Sequence, residues 1–440
     1  MTVANDSRAV LLLTVGTGDR NRLEETLLTP LAKSIEAGPR GKVILVPSLA
    51  TVPYAETIRQ RFPDRDIEIR PIPQDGDEYD PDRSFAWIDG LLAEVISQGH
   101  LPGAIVVDFT RGTKSMSAAA TLAGVSRGVG SLRYVDGVRQ QDPRGMVQAG
   151  TERMREVQPA LATVRALLQR AMSLIASGQF AAAASLFPGW QADALAALPE
   201  GARPAAAAAA WFAAFWGDWD RFFYASAAKR LAELKDLPIP AEWMRFLPSR
   251  ENQAFLELLA QGLPEAFPER ARHTRYLAAD LLANAERRLH WGQPEDALQR
   301  AYRVLESAGQ ARLFAHGLDS ECVDATHPGV AEWLAYKEKQ GKPVGSRLQG
   351  KLTLGREQVA SLLKRLKDPM GRALTNPQAE LGIDVTTWRN LSILNHGFAS
   401  NTEAHREDLQ KVLGGLRRLL LRDPDLEQWT LDAARFPFAP

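Results

Sequence analysis

The N-terminal third of the chain alternates two hydrophobic periods. Short apolar, β-branched runs stand at Ala9 to Val15 (AVLLLTV), Lys42 to Ser48 (KVILVPS), Ile67 to Ile72 (IEIRPI), Ala104 to Thr110 (AIVVDFT) and Ser131 to Gly137 (SLRYVDG). Between them, apolar residues recur every three or four positions, the mark of amphipathic helices. The alternation predicts a parallel sheet of βαβ units, a Rossmann-like α/β domain over residues 1–158. Open sheets of this kind bind ligands beyond the carboxyl ends of their strands, so the loops that follow each strand hold the candidate chemistry.

From about Leu161 the texture becomes alanine-rich and helical. Gly178, Gly217 and Gly292 each fall between apolar-periodic segments and are expected as turns of helical hairpins. Their intervals, 39 and then 75 residues, keep no common period, which argues against a regular solenoid. The expectation is an all-α connecting domain over 159–270 and an all-α domain over 271–440. A Pro- and Gly-rich stretch from Leu354 to Val385 reads as a loop. It leads into a helix carrying TTWRNLSILNHGF, Thr386 to Phe398, and a final helix follows over Glu407 to Arg422.

On that expected helix Arg389 and His396 stand seven residues apart. At 3.6 residues per turn this is roughly 20° short of two turns, so both would project from one face and could grip one phosphate. No other histidine has an arginine five to seven positions upstream, and Gly397 is placed to end the helix. His273, His290, His316 and His327 are scattered without metal-ligand spacing, so no metal is expected.

Two N-terminal loops stand out. In TVGTGDRN, Thr14 to Asn21, Gly16 and Gly18 begin a dinucleotide fingerprint, but Asn21 takes the place of its third glycine and the second strand ends in Pro47 and Ser48 rather than an acid. A nicotinamide cofactor is disfavoured, while Gly16, Thr17 and Gly18 still permit close backbone approach to a phosphate or base. In IVVDFTRGTKSMSAAATLAGV, Ile105 to Val125, a strand ending at Asp108 passes through Thr110, Arg111, Gly112, Thr113 and Lys114 into a helix. Backbone N–H groups at the helix start, two threonine hydroxyls and a lysine make an anion site. The same threonines and Asp108 could equally do no more than cap the helix. The Walker pattern G-x-x-x-x-G-K-[ST] is absent, so triphosphate hydrolysis is not implied.

Composition narrows the partners. The 440 residues are 45% hydrophobic and 24% charged, an ordinary soluble balance, and 53 basic against 53 acidic residues leave no chain-wide attraction for nucleic acid or anionic lipid. From Gly341 to Pro440, however, 15 Lys and Arg face 11 Asp and Glu, a mild local attraction for RNA. The single cysteine, Cys322, excludes an intramolecular disulfide and is expected as a buried small hydrophobe in a reducing compartment. The N-terminus MTVANDSRAV lacks a signal-peptide layout, and the most apolar run, Pro204 to Trp216, is shorter than the roughly 20 residues a membrane span needs. A cytoplasmic protein is expected.

Taken together, the TVGTG loop, the Asp-x-Thr-x-Gly-Thr-Lys-x-Met segment, the helical middle and the C-terminal Arg-Asn-x5-His resemble the CRISPR-associated CARF–HEPN ribonucleases of type III systems. The resemblance implies a CARF sensor that dimerises and binds a cyclic oligoadenylate, with Gly16, Thr17, Gly18, Ser48, Thr110, Arg111, Gly112, Thr113 and Lys114 at the ring. It also implies an all-α HEPN domain that cuts single-stranded RNA, not DNA, with Arg389, Asn390 and His396 as catalytic residues. The expected protein is a homodimer with no cofactor, activated by a ring of four adenylates, with slow cleavage of that ring in the CARF domain as a further expectation. Arg111 departs from the small residue usual at its position. Two alternatives remain: a sensor that regulates transcription through a DNA-binding C-terminus, and a ring nuclease with an inert C-terminus.

Overall fold

The computed structural model describes residues 9–137, 151, 153–187, 189, 191–196, 198–342, 344, 346–348 and 351–439. Most of the N-terminal stretch MTVANDSRAV, residues 1–8, lies outside them. The described residues form two compact units, one drawn from Met1–Leu167 with Ala196–Arg203 and the other from Leu168–Leu195 with Pro204–Pro440.

All five expected strands form: β1 (Val10–Val15), β2 (Lys42–Pro47), β3 (Ile67–Ile69), β4 (Ile105–Asp108) and β5 (Ser131–Asp136). They are mutually parallel, in the order β3-β2-β1-β4-β5. The expectation of a purely parallel sheet needs correcting, because a sixth strand, β6 (Arg153–Val157), adds antiparallel to β5 at the edge. Its sequence RMREV is almost wholly exposed, so no buried apolar run announced it. Alternate residues of β1 serve opposite faces. Val10 and Leu12 join a core with α3 (Pro81–Ser97) and α4 (Lys114–Arg127), while Leu11, Leu13 and Val15 join one with α1 (Thr29–Glu36) and α2 (Val52–Arg61). A strand covered on both faces favours apolar residues at nearly every position, which is why β1 reads as a hydrophobic run broken only by buried Thr14.

The second unit is mainly helical. Gly178 and Gly292, both with positive φ, make the expected turns, the latter between long helices Phe267–His290 and Pro294–Ala315. Gly217 does not: it lies inside helix Arg203–Asp220, where a Cβ would come within 3.0 Å of the Phe180 Cβ, so it serves close packing. The turn comes later, at Phe222, whose own φ is 66°. The run Pro204 to Trp216 is the core of that same helix, buried nearly all round, as helices apolar on every face are. Among the described residues no helix is long and apolar enough to cross a membrane. Part of the stretch read as loop, Arg356–Arg365, is a helix. Cys322 is exposed rather than buried, on a surface turn that begins at Asp319.

Candidate functional site

The first candidate site lies at the carboxyl edge of the sheet. The chain runs from β1 to one side through β2 and β3, then crosses back to β4 and β5, so the topological switch falls between β1 and β4. There the two sequence-selected loops meet. A Cβ built on Gly16 would stand 3.2 Å from the Gly112 Cα, and one on Gly112 would stand 3.0 Å from both Thr14 Oγ1 and Met116 Cβ. Only glycines let these backbones touch. Thr14, passed over in the sequence, is fully buried beneath this contact, with no hydrogen-bond partner for its hydroxyl among the described residues.

The hydroxyls expected at a ligand are largely committed elsewhere. Asp108 Oδ1 accepts from the Thr110 N–H (2.9 Å) and hydroxyl, and its other oxygen accepts from Ser34. Thr110 Oγ1 also accepts from the Val135 N–H at 2.9 Å, tying the turn to β5. Thr113 caps α4 by accepting from the Met116 N–H at 3.1 Å, and its hydroxyl donates to the Glu78 carbonyl. Ser48 is buried against Thr51, which in turn donates to the Val15 carbonyl at 2.9 Å. The groups left toward solvent are Thr17, Gly18 and Lys114, with Gly16, Arg111 and Gly112 half-buried. Lys114 opens α4, whose first turn holds no acid, and has no hydrogen bond or ion pair among the described residues. A cation there opposes the helix dipole, at a cost of about 0.3–1 kcal/mol, and is favourable only toward an incoming anion.

The second candidate site is in the helical unit. Asp384 caps a short helix, Val385–Leu391, by accepting from the Thr386 and Thr387 N–H groups, and Arg389 and Asn390 lie on its last turn. The expected two-turn helix reaching His396 does not exist. Ser392 is already extended (φ −68°, ψ 142°), and His396 sits in a turn beyond it. The cause is local. Ser392 Oγ accepts from the Leu394 N–H at 3.2 Å and donates to Glu295 at 2.7 Å, bonds that compete with helix continuation. Gly397 does not end a helix but lets the chain fold back, since a Cβ there would collide with the Leu391 carbonyl. The Ala399 N–H then donates to that carbonyl at 2.9 Å.

The helix end with Arg389 and the turn with His396 are nonetheless linked. Asn390 Oδ1 accepts from Arg389 Nη1 (3.2 Å) and from Asn395 Nδ2 (3.1 Å), joining the residue after the arginine to the residue before the histidine. The Arg389 guanidinium lies 4.7 Å from the ring centre of Tyr302, and His396 is exposed. Sequence reasoning missed the partners on helix Pro294–Ala315 entirely. Glu295 Oε1 accepts from the Asn401 N–H (2.8 Å), and Oε2 accepts from Asn401 Nδ2 (2.9 Å) and Ser392. Burial pushes the Glu295 carboxyl up, but the bonds from Ser392 and Asn401 outweigh it and hold it below the usual glutamate value. Asn401 Oδ1 accepts from Trp388 Nε1 at 2.6 Å, closing the link to the helix of Arg389.

Comparison with known proteins follows the same division. Residues 268–420, which contain Glu295, Arg389 and His396, match the family model of the Csm6 HEPN domain. No curated protein matches the chain by sequence. Among solved structures, Enterococcus italicus Csm6 bound to cyclic hexa-2'-fluoro-hexa-dAMP is 14% identical over 97% of this chain and 99% of its own, with a TM-score of 0.59. Can2 from Sulfobacillus thermosulfidooxidans in complex with cyclic tetra-adenylate is 15% identical over 49% of this chain and 67% of its own, but its TM-score of 0.23 is too low to build on. The C-terminal stretch is thus similar to the Csm6 HEPN domain, and the fold of the whole chain resembles that of Enterococcus italicus Csm6.

Proposed function

We propose that this protein is a cyclic oligoadenylate-activated endoribonuclease of CRISPR type III defence, with its sensor in 1–158, a connecting domain in 159–270 and its nuclease in 271–440. The observation that carries the reading is the helix end with half-buried Arg389 and exposed Asn390, followed by a turn with exposed His396, inside the stretch that matches the Csm6 HEPN domain. In RNA the 2′-hydroxyl attacks its own 3′-phosphorus and the 5′-oxygen leaves. A base takes the hydroxyl proton, an acid supplies one to the leaving oxygen, and a cation stabilises the phosphorane. No metal is required for these steps.

One chain offers one such histidine, so two facing copies supply the base, the acid and two arginines around one phosphate. The surface around the motif supports this pairing. Leu391, Ile393, Leu394 and Phe398 are all exposed, the last at 96%, a hydrophobic cluster that a second copy would cover.

In the sensor, Lys114, the N–H groups opening α4 and the Gly16–Gly112 contact form a phosphate-binding crevice. Its ligand is a cyclic oligoadenylate. Four adenylates remain the expected size, with six the competitor because the Enterococcus italicus protein holds a six-membered analogue. Slow cleavage of the ring in this crevice would rest on positioning, since Asp108 is already engaged by Thr110 and Ser34.

The test is RNA cleavage with cyclic tetra-adenylate, cyclic hexa-adenylate or neither, by wild type and by His396→Ala. The expected result is ring-dependent cleavage that survives EDTA, leaves 2′,3′-cyclic phosphate ends, and falls roughly 10²- to 10⁴-fold in the variant. Efficient cutting of a 2′-deoxy substrate, or full activity in His396→Ala, would overturn it.

A further inference from the structure

Residues 392–401, which carry His396, bury almost nothing. Within this span only Ser392 and Asn401, its two ends, are buried, and its large apolar side chains face solvent. No hydrophobic core therefore holds His396 in place. Main-chain bonds such as Ile393 N–H to the Ala399 carbonyl shape the loop, and one carboxylate ties both of its ends to helix Pro294–Ala315. Glu295 takes Ser392 at one end and both the N–H and the amide of Asn401 at the other, and Asn401 passes the link to Trp388, the neighbour of Arg389.

The same helix face contributes further. Glu295, Gln299 and Tyr302 follow the i, i+4, i+7 spacing that aligns side chains on one side of a helix. Gln299 Nε2 donates to Ser392 Oγ at 3.2 Å, and the Tyr302 ring lies against the Arg389 guanidinium. All three reach the helix and loop that carry the arginine and histidine, from a sequence distance of about ninety residues.

We infer that Glu295 is a positioning residue for RNA cleavage: by clamping both ends of the 392–401 loop, it sets the placement of His396 relative to Arg389. The inference rests on the reading that those two residues cleave RNA. An ionised carboxylate is the group this position requires, because it accepts on both oxygens and donates on neither. Glutamine, of nearly the same shape, accepts on one oxygen and turns an N–H₂ toward the Asn401 amide, which is also a donor there. The clamp thus opens with little change in volume. Since the loop contributes so little to the core, the change should reach the chemistry and not the fold.

The experiment compares full-length wild type, Glu295→Gln, Ser392→Ala, His396→Ala and the double variant Glu295→Gln/Asn401→Asp. Each is activated by whichever of cyclic tetra- and hexa-adenylate activates wild type. The double variant reverses the polarity of one bond, so that the glutamine amide donates to the new carboxylate. A misplacement near 1 Å costs up to about 10²-fold in rate, so Glu295→Gln should lower kcat about 10- to 100-fold with KM for RNA unchanged. Ser392→Ala, losing one bond of three, should fall between, the double variant should recover part of the rate, and all should melt within a few degrees of wild type. Wild-type kcat in Glu295→Gln, a loss confined to KM, or a loss that tracks the folded fraction in both single variants and is not relieved in the double variant would overturn the inference. If His396→Ala cleaves like wild type, it is the reading of the site that has failed instead.

Discussion

Replacing Gly16 by alanine places one methyl group where the loops after β1 and β4 touch. The new Cβ would stand 3.2, 3.3 and 3.4 Å from the Cα, C and N of Gly112, main-chain atoms that cannot rotate away as a side chain would. The loops must part by a few tenths of an ångström. Retreat of Gly112 is itself resisted, because it sits against Thr14 and Met116 below. Overpacking of this kind costs about 1–3 kcal/mol. If the strain is expressed when the crevice closes on its ligand, ring affinity should fall roughly 5- to 150-fold at RT of about 0.59 kcal/mol. The assay is titration of labelled cyclic tetra- and hexa-adenylate, together with the ring concentration needed for half-maximal RNA cleavage. Gly90→Ala is the control: it lies within α3 with nothing near its Cβ position, and should stabilise by about 0.5–1 kcal/mol without touching ring binding. If Gly16→Ala binds both rings as tightly as wild type does, the crevice between these loops is not the sensor.

Lys114→Ala should weaken ring binding roughly 10- to 100-fold, the value of a charge-assisted contact, with cleavage restored at saturating ring. Because the Glu295 carboxyl is depressed in the folded protein, its clamp contributes fully above the unfolded glutamate value, about 4.3, and is lost as pH falls through the lower folded value. Hydrogen exchange of the 392–401 amides, corrected for intrinsic rates, should accelerate as pH falls below the unfolded glutamate value in wild type and show no such step in Glu295→Gln. His396→Ala incubated with labelled ring should release linear products over hours, and abolition of these by Lys114→Ala would place the cleavage in the crevice; an intact ring at excess enzyme would leave the α/β unit able to bind the ring but not to cut it.

The α/β unit was legible because its signal is local. A strand buried on both faces writes itself as an apolar run, and glycines at a crossing of loops stand out in TVGTG and RGTK. The edge strand β6 was not legible, since an exposed arginine-rich strand has no apolar period and exists through its pairing to β5. The motif Arg389 to His396 could be found by spacing, but its geometry could not. The helical spacing of the sequence carries on past Ser392, where bonds to Leu394 and Glu295 end the helix. Gly217 misled for a related reason, its small size serving contact with Phe180 rather than a turn. Glu295 carries no sequence signal at all, because what defines it is three bonds to residues 97 and 106 positions away.

The contact of Gly16 with Gly112 also bears on how such a crevice changes over generations. Its walls are main chain, and the hydroxyls of Thr110 and Thr113 hold the framework rather than face the opening. A site of this construction is indifferent to most exchanges of side chain around it and intolerant of any bulk at two positions. If such a crevice takes a ring, its preference for one circumference over another would drift through insertions and deletions that alter loop length, with Lys114 and the framework threonines retained.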